Sequence, residues 1–377
     1  MDNQFNQSNS ILDKIITSKK TTEIEQFNPS EVVTALFKTL SSREEDVLRR
    51  RYGLLGKDKE TLENIGTSYK VTRERIRQIE NTAIHKIKKH KNFYNIISPI
   101  ESTIFSVLEQ HGGIMSEDSL LKTLLQAIGD NKINRQNILF IISELLNHKF
   151  KELRPSNDFR QSWQIMHAPI RLLRDSITEL IKIISEKNQP LTINEIIDLF
   201  KGTELFTKNQ SQISEDIIIS YLEISPGISK NPFDEYGLTE WGSIVPKRMN
   251  DKIYLILKRH KEPLHFTEIA QKINEAKFDN RKSYPPTVHN ELILNDKYIL
   301  VGRGIYALKE WGYKPGVVSN VLIDILKKEN RPMSRDELVN QVLQQRIVKK
   351  NTIHLALTEK TKFKKLTDGT YQLTEQI

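Results

Sequence analysis

Four residues within Val71–Glu80, the stretch VTRERIRQIE, carry side chains of the kind that read a base pair: Arg73, Glu74, Arg77 and Gln78. An arginine fork matches the O6 and N7 acceptors of guanine, a carboxylate accepts from the N4 amine of cytosine, and a glutamine amide pairs with adenine. At about 100° per residue these four share one side of a helix, and Ile76, Ile79, Ala83 and Ile87 share the other. One face packs and the other reads. The helix opens at Thr72, a hydroxyl residue suited to N-capping. It follows TLENIGTSYK, an amphipathic helix closing on a tight turn, so the two form a helix-turn-helix.

The charge agrees. Between Lys70 and Lys91 stand Lys70, Arg73, Arg75, Arg77, Lys86, Lys88, Lys89 and Lys91 against Glu74 and Glu80, a net +6 in a chain whose total is +9. A polyanion fits such a density. A basic run taken alone is more often a solvated helix face, so the weight falls on the pattern around it.

That pattern is specific. The segment LSSREEDVLRRRYGLLGKDKETLENIGTSYKVTRERIRQIENTAIHKIKK, about Leu40 to Lys89, resembles region 4 of sigma-70 family factors, the domain that binds the promoter −35 element. The resemblance covers the LSxRE opening, the RRRYGL end of the supporting helix, the TLxxIG helix and the whole VTRERIRQIE signature. It implies that Arg73, Glu74 and Gln78 reach base edges and that Arg77 holds a neighbouring phosphate or base. Thr72 and the amides at the helix start would anchor a phosphate. Arg75, Lys86, Lys88 and Lys89 complete the expected DNA-binding set. One departure is Asn64, where many family members carry glutamate; this weakens the capping box at Thr61 and leaves base reading untouched.

These residues must be positioned by a larger body. The 377 residues allow two to four domains, and 37% hydrophobic content supports globular folding. Residues 1–28 are Asn/Gln/Ser-rich and read as a flexible polar arm, with a short helix at Ile11 to Ile16. The region 4-like helix-turn-helix occupies 30–95. Beyond it the chain repeats: Tyr236 and Tyr306 lie 70 residues apart, as do Trp241 and Trp311, and Tyr371 follows 65 residues later. A fixed period with a common aromatic ending marks tandem copies of one module. Each copy reads as helix, polar break, capped second helix, third helix and hairpin, as in YILVGRGIYALKE. The expected fold class is therefore mainly α, a helix-turn-helix domain followed by tandem winged-helix modules of three helices plus a β-hairpin. The modules fall at 98–167 (degenerate), 168–244, 245–312 and 313–377. The copy at 245–312, with HKEPLHFTEIAQKINEAK and YILVGRGIYALKEWG, resembles the HARE winged helices, a family that includes the RNA polymerase delta subunit. That resemblance implies a nucleic-acid or polymerase setting and fixes no functional residue.

Tyr306 and Trp311 could stack on bases, but a hairpin closing over helices needs large apolar residues, and a core role is favoured. The recurring His289 and His354 read as packing or capping residues, since further ligands at metal spacing are missing. Zero cysteines exclude disulfides, thiolate zinc sites and cysteine nucleophiles. No P-loop, HExxH pair, GxSxG elbow, dinucleotide fingerprint or nuclease-type carboxylate trio stands out, so neither an enzyme nor a cofactor is expected. No apolar run approaches membrane length and no secretory signal is evident, so a cytoplasmic, nucleoid-associated protein is expected.

The leading expectation is a sequence-specific transcription factor or regulator that reads a −35-like element on double-stranded DNA. About 36 residues precede the region 4 match, too few for a promoter-melting domain, so a complete sigma factor is not expected. The alternatives are a delta-like accessory that binds RNA polymerase and an architectural protein that coats DNA. With +6 in residues 70–91, the other 355 residues contribute only +3, so the winged array is expected to bind phosphates weakly.

Overall fold

The computed structural model describes residues 28–126, 128–313 and 317–374. It is mainly helical with small antiparallel sheets, and it divides into two compact units between residues 229 and 230. The polar arm, with its expected helix at 11–16, lies outside the described residues except for Asn28. That residue accepts the amides of Ser30 and Glu31 at 3.1 and 3.4 Å and so starts α1 (Pro29–Phe37).

In the first unit, α2 (Ser42–Tyr52) begins with a reciprocal cap. The Ser41 amide donates to Glu44 Oε2 at 2.9 Å and the Glu44 amide donates to Ser41 Oγ at 3.4 Å. Lys86 Nζ donates to Glu44 Oε1 at 2.5 Å. Burial opposes ionisation of Glu44, but the hydrogen bonds from Lys86 and Ser41 outweigh it and hold the carboxyl below its ordinary value. Glu44→Gln should therefore destabilise this unit by about 1 kcal/mol at neutral pH. A depressed folded-state pKa contributes stability above the unfolded value of 4.5 and loses it as the pH falls through the folded value. The gap between variant and parent should accordingly narrow in acid. Urea unfolding at pH 7 and pH 3 checks this, and a gap of equal size at both would count against it.

Gly53 ends α2 in the left-handed region at φ +70°. A Cβ there would lie 2.6 Å from Gln136 Nε2 and 2.7 Å from the Lys57 carbonyl, so a larger residue is excluded twice. Next come α3 (Leu62–Tyr69), capped by Thr61, and α4 (Arg73–Lys89), capped by Thr72. Thr61 accepts only the Asn64 amide, half of a capping box.

The packing side of α4 serves two cores. Its first turns put Ile76 and Ile79 against Val47 and Ile65, the small centre of the helix-turn-helix. Its last turns send Ala83 and Ile87 into a larger core that also holds Leu36, Phe37, Leu48, Leu54, Ile104, Leu121, Phe140 and Trp163. That core runs through α5 (Phe93–Gln110), α6 (Glu117–Leu125) and α7 (Lys132–Phe140) without a break at the expected boundary of 95/98. Polar bonds cross it as well: Gln136 Nε2 to the Lys57 carbonyl at 3.0 Å, Asn137 Nδ2 to Ser30 Oγ at 2.9 Å and Lys132 Nζ to Asp58 at 2.6 Å. The helix-turn-helix and the module after it share one hydrophobic interior.

Within that module a short strand, β1 (Ile114–Ser116), precedes α6, and a π-turn at Ile141–Leu145 leads to β2 (Phe150–Leu153) and β3 (Ser162–Ile165). The sheet order is β1-β3-β2, with Ile114 opposite Gln164 and Phe150 opposite Ile165. The reading of three helices and a hairpin therefore lacks one strand, which pairs on the hairpin edge between the first two helices. After it come α8 (Ile170–Lys187), β4 (Leu191–Thr192), α9 (Ile193–Lys201), α10 (Glu204–Lys208), α11 (Glu215–Ile224) and β5 (Ile228–Lys230). Arg160 ties these helices to the first module: its amide donates to the Ile224 carbonyl at 2.8 Å, and its guanidinium donates to the Glu223 and Ile228 carbonyls at 3.2 and 2.7 Å. The division at 229/230 falls inside the expected 168–244 module.

The second unit opens with β6 (Glu235–Leu238), then α12 (Met249–His260), β7 (Leu264–His265), α13 (Phe266–Ala276), α14 (Pro285–Leu294), β8 (Tyr298–Gly302) and β9 (Ile305–Leu308), with sheet order β7-β9-β8. Tyr306 is buried in its core, and the His289 ring stacks on Phe266 at 4.5 Å and meets Tyr306 edge-on at 5.8 Å. Trp311, expected in that core, is half-buried in a single 3-10 turn at Lys309–Trp311, where it packs against that core and against the cluster of Ile299, Val301 and Ala307. The last set is α15 (Val318–Glu329), α16 (Arg335–Gln345), α17 (Lys350–Leu357), β10 (Phe363–Lys365) and β11 (Tyr371–Leu373). Here the strand between the first two helices shrinks to one bridge, Met333 with Tyr371. Among the described residues no helix is long and apolar enough to cross a membrane, and no cluster of three or more metal-ligating side chains occurs.

Candidate nucleic-acid interface

The turn between α3 and α4 is built for close approach. Lys70 adopts the left-handed region at φ +56°, and the Val71 amide donates to the Gly66 carbonyl at 2.9 Å. A Cβ on Gly66 would fall 2.8 Å from the Val71 carbonyl oxygen, so the two helices reach this spacing only with glycine there. Thr72 Oγ1 then accepts the Arg75 amide at 3.2 Å. The hydroxyl expected to anchor a phosphate is thus also the cap of the reading helix.

Arg73, Glu74, Arg75, Arg77 and Gln78 are all exposed on the outer face of α4. They already contact one another. Arg77 grips Glu74 through two bonds, Nη2 to Oε1 at 2.7 Å and Nε to Oε2 at 2.9 Å. The Arg77 hydrogen bond keeps the Glu74 carboxyl below its ordinary value, so it is ionised and acceptor-only at neutral pH. Arg75 Nη1 donates to Gln78 Oε1 at 3.1 Å. A glutamine that pairs with adenine needs both its oxygen and its nitrogen, so Arg75 must release Gln78 for that contact, and its guanidinium is then available to a phosphate.

The lysines separate. Lys89 is exposed, but Lys86 is bound to Glu44 and Lys88 Nζ donates to Asn147 Oδ1 at 3.0 Å, where burial lowers its pKa. Lys86, whose side chain stays half exposed, and Lys88 therefore also brace α4 against α2 and the segment around Asn147, whereas Lys89 stands open to solvent.

The residues missed from the sequence lie behind the reading face. Glu80, counted there as a charge against binding, is buried, accepts the Tyr52 hydroxyl at 2.8 Å and pairs with Arg51 at 3.4 Å. Burial raises the pKa of Tyr52, with Glu144 and Glu80 adding to it, so the phenol stays protonated and donates. Arg50 takes Glu60 in a bidentate pair at 2.6 and 2.9 Å and donates to Ser68 Oγ of α3 at 2.8 Å. The RRRY run thus holds both helices of the motif from behind. The signal was present: Glu80 falls on the apolar side of the α4 wheel, and a carboxylate there needs partners.

Buried support thus stands behind a helix that presents arginine, glutamate and glutamine outward. Residues 36–89 match sigma-70, region 4. Such a region is a DNA-binding helix-turn-helix that contacts the −35 element and binds RNA polymerase, and it is not catalytic. The chain is 51% identical over 67 residues to "RNA polymerase sigma factor SigA1" of Synechococcus elongatus, covering 18% of this chain and 16% of that protein. It is 56% identical over 59 residues to SigA of Microcystis aeruginosa, 16% of this chain and 14% of the relative. With SigA of Lactococcus lactis subsp. cremoris it shares 58% over 50 residues, 13% and 14% of the two chains. The chain thus spans only about a seventh of the length of the curated relatives it matches, and the matched part is the region 4-like domain.

Proposed function

We propose that the protein is a sequence-specific DNA-binding transcription regulator, in which α4 reads a −35-like element on duplex DNA. The observation that carries this reading is the outer face of α4, where Arg73, Glu74 and Gln78 stand exposed on a helix braced by Glu80, Arg51 and Tyr52. Arg73 supplies a fork for guanine, and Glu74, preset by Arg77, accepts from cytosine; Gln78 addresses adenine once Arg75 leaves it. Thr72, Arg75 and Lys89 hold phosphates, which positions the helix without selecting sequence. Selection from randomised duplexes by the full chain tests the reading. The expected result is a short preferred motif resembling a −35 element; enrichment without any motif would replace this reading with the architectural one.

A second reading has its own observation. Tyr284, just before α14, and Ile293 and Leu294 in its last turn are exposed large apolar side chains, which suit a protein contact better than a phosphate backbone. On this reading the second unit binds RNA polymerase, as the resemblance of residues 245–312 to HARE modules suggests. Copurification of polymerase with the full chain after nuclease digestion separates it from DNA-bridged association.

A further inference from the structure

The charge outside the reading helix is not spread evenly. Residues 346–365 carry Arg346, Lys349, Lys350, Lys360, Lys362, Lys364 and Lys365 against Glu359, a net +6 in twenty residues that matches the density at 70–91 and leaves the rest of the chain at −3. The earlier expectation of a weakly charged winged array averaged this segment away.

Its cations divide by use. Arg346 is buried, and its guanidinium donates to the Leu300 carbonyl. Lys362 pairs with Glu359 at 2.7 Å, and Lys365 lies over the Tyr371 ring at 5.9 Å. Lys349, Lys350, Lys360 and Lys364 are exposed. We propose that these four, Lys349 and Lys350 at the start of α17, Lys360 in the turn after it and Lys364 on β10, form a second contact to duplex DNA that binds phosphates without reading sequence.

The other modules lack this arrangement. The third helix of the second module, α11, opens on Glu215 and Asp216. In α7, Lys132 is paired with Asp58 and Arg135 with Asp130. The first turn of α14 holds no acidic residue and no cation. Among the described third helices only α17 opens on two exposed lysines, and Lys360 and Lys364 follow it in the chain. Lys349 and Lys350 sit at the positive end of the helix dipole, a placement unfavourable in the free chain that an anion relieves. The dimensions suit a duplex: α17 is about 12 Å long and β10 about 10 Å, within the roughly 34 Å of one helical turn of DNA. The four groups are point charges, not arginine forks, so they neutralise phosphates and leave the bases unread.

This contact stands whether or not α4 reads a −35-like element. The test uses the full chain with Lys349→Gln, Lys350→Gln, Lys360→Gln and Lys364→Gln combined, beside Arg73→Ala. Salt titrations are run on a selected duplex and on an unrelated one. At about 0.9 per phosphate contact the quadruple variant should reduce the log–log salt slope by roughly 3 to 4 on both duplexes and keep the base preferences intact. Arg73→Ala should instead change preference and leave most of the slope, so the two readings fail in different measurements. The corresponding Lys→Arg variant should restore the slope. An unchanged slope in a quadruple variant with a parental melting curve overturns the proposal. So does loss of polymerase binding with an unchanged slope, which would assign the patch to an acidic protein surface. If the quadruple variant melts early, the pairs K349Q/K350Q and K360Q/K364Q, each expected to remove roughly 2, carry the same test.

Discussion

Phe140→Ala is expected to destabilise the first unit by about 3–5 kcal/mol and to loosen the DNA-reading helix with it. Phe140 is buried, meets Phe37 edge-on at 5.9 Å and packs on Tyr52 at 4.9 Å. Tyr52 in turn donates to Glu80 of α4. Truncation therefore opens a cavity where α1, α2 and α7 meet and removes the surface that holds the Tyr52 ring in place to support Glu80. Hydrogen exchange on the full chain reads this directly, because local and global opening differ in which amides lose protection. Protection should fall together in α2, α4 and α7. If α7 opens while the amides of α4 stay protected, the helix-turn-helix is an independent domain and the shared core has been misjudged.

The second large effect is on recognition. Arg73→Ala or Glu74→Ala should weaken binding to the preferred duplex by about 1–3 kcal/mol and relax one base position, because each removes a directed contact. Lys89→Ala should weaken all duplexes alike and reduce the salt slope by about 1. Lys89 is the proper comparison, since Lys88 is engaged by Asn147 and its removal would disturb packing as well. The measurement is base preference in randomised duplexes for each variant. A preferred motif identical in Arg73→Ala and the parent would assign base reading to other residues.

The reading helix was legible because its information is local. Helical periodicity alone puts Ile76, Ile79, Ala83 and Ile87 inside and Arg73, Glu74, Arg77 and Gln78 outside, and Thr72 marks the start. The helices of the repeated modules were legible for the same reason, with capping pairs such as Ser334 and Glu337 showing where they begin. The strands β1 and β7 were not. A strand of two or three residues is too short to show alternation, and it exists only because the edge of a hairpin distant in sequence offers it hydrogen bonds.

Sequence by itself determined which side chains face outward on α4 and the helical character of the chain, since these follow from period, capping and composition. Tertiary structure decided what those side chains are free to do. It turned Lys86 and Lys88 into braces and made Glu80 a buried acceptor instead of a repulsive charge. It joined the helix-turn-helix to its neighbour through one core, and within residues 346–365 it left Lys349, Lys350, Lys360 and Lys364 exposed while it buried Arg346 and paired Lys362 with Glu359. Formal charge is a property of residues, but the field that a phosphate meets depends on which charges are neutralised by partners, and those partners lie up to dozens of residues away along the chain.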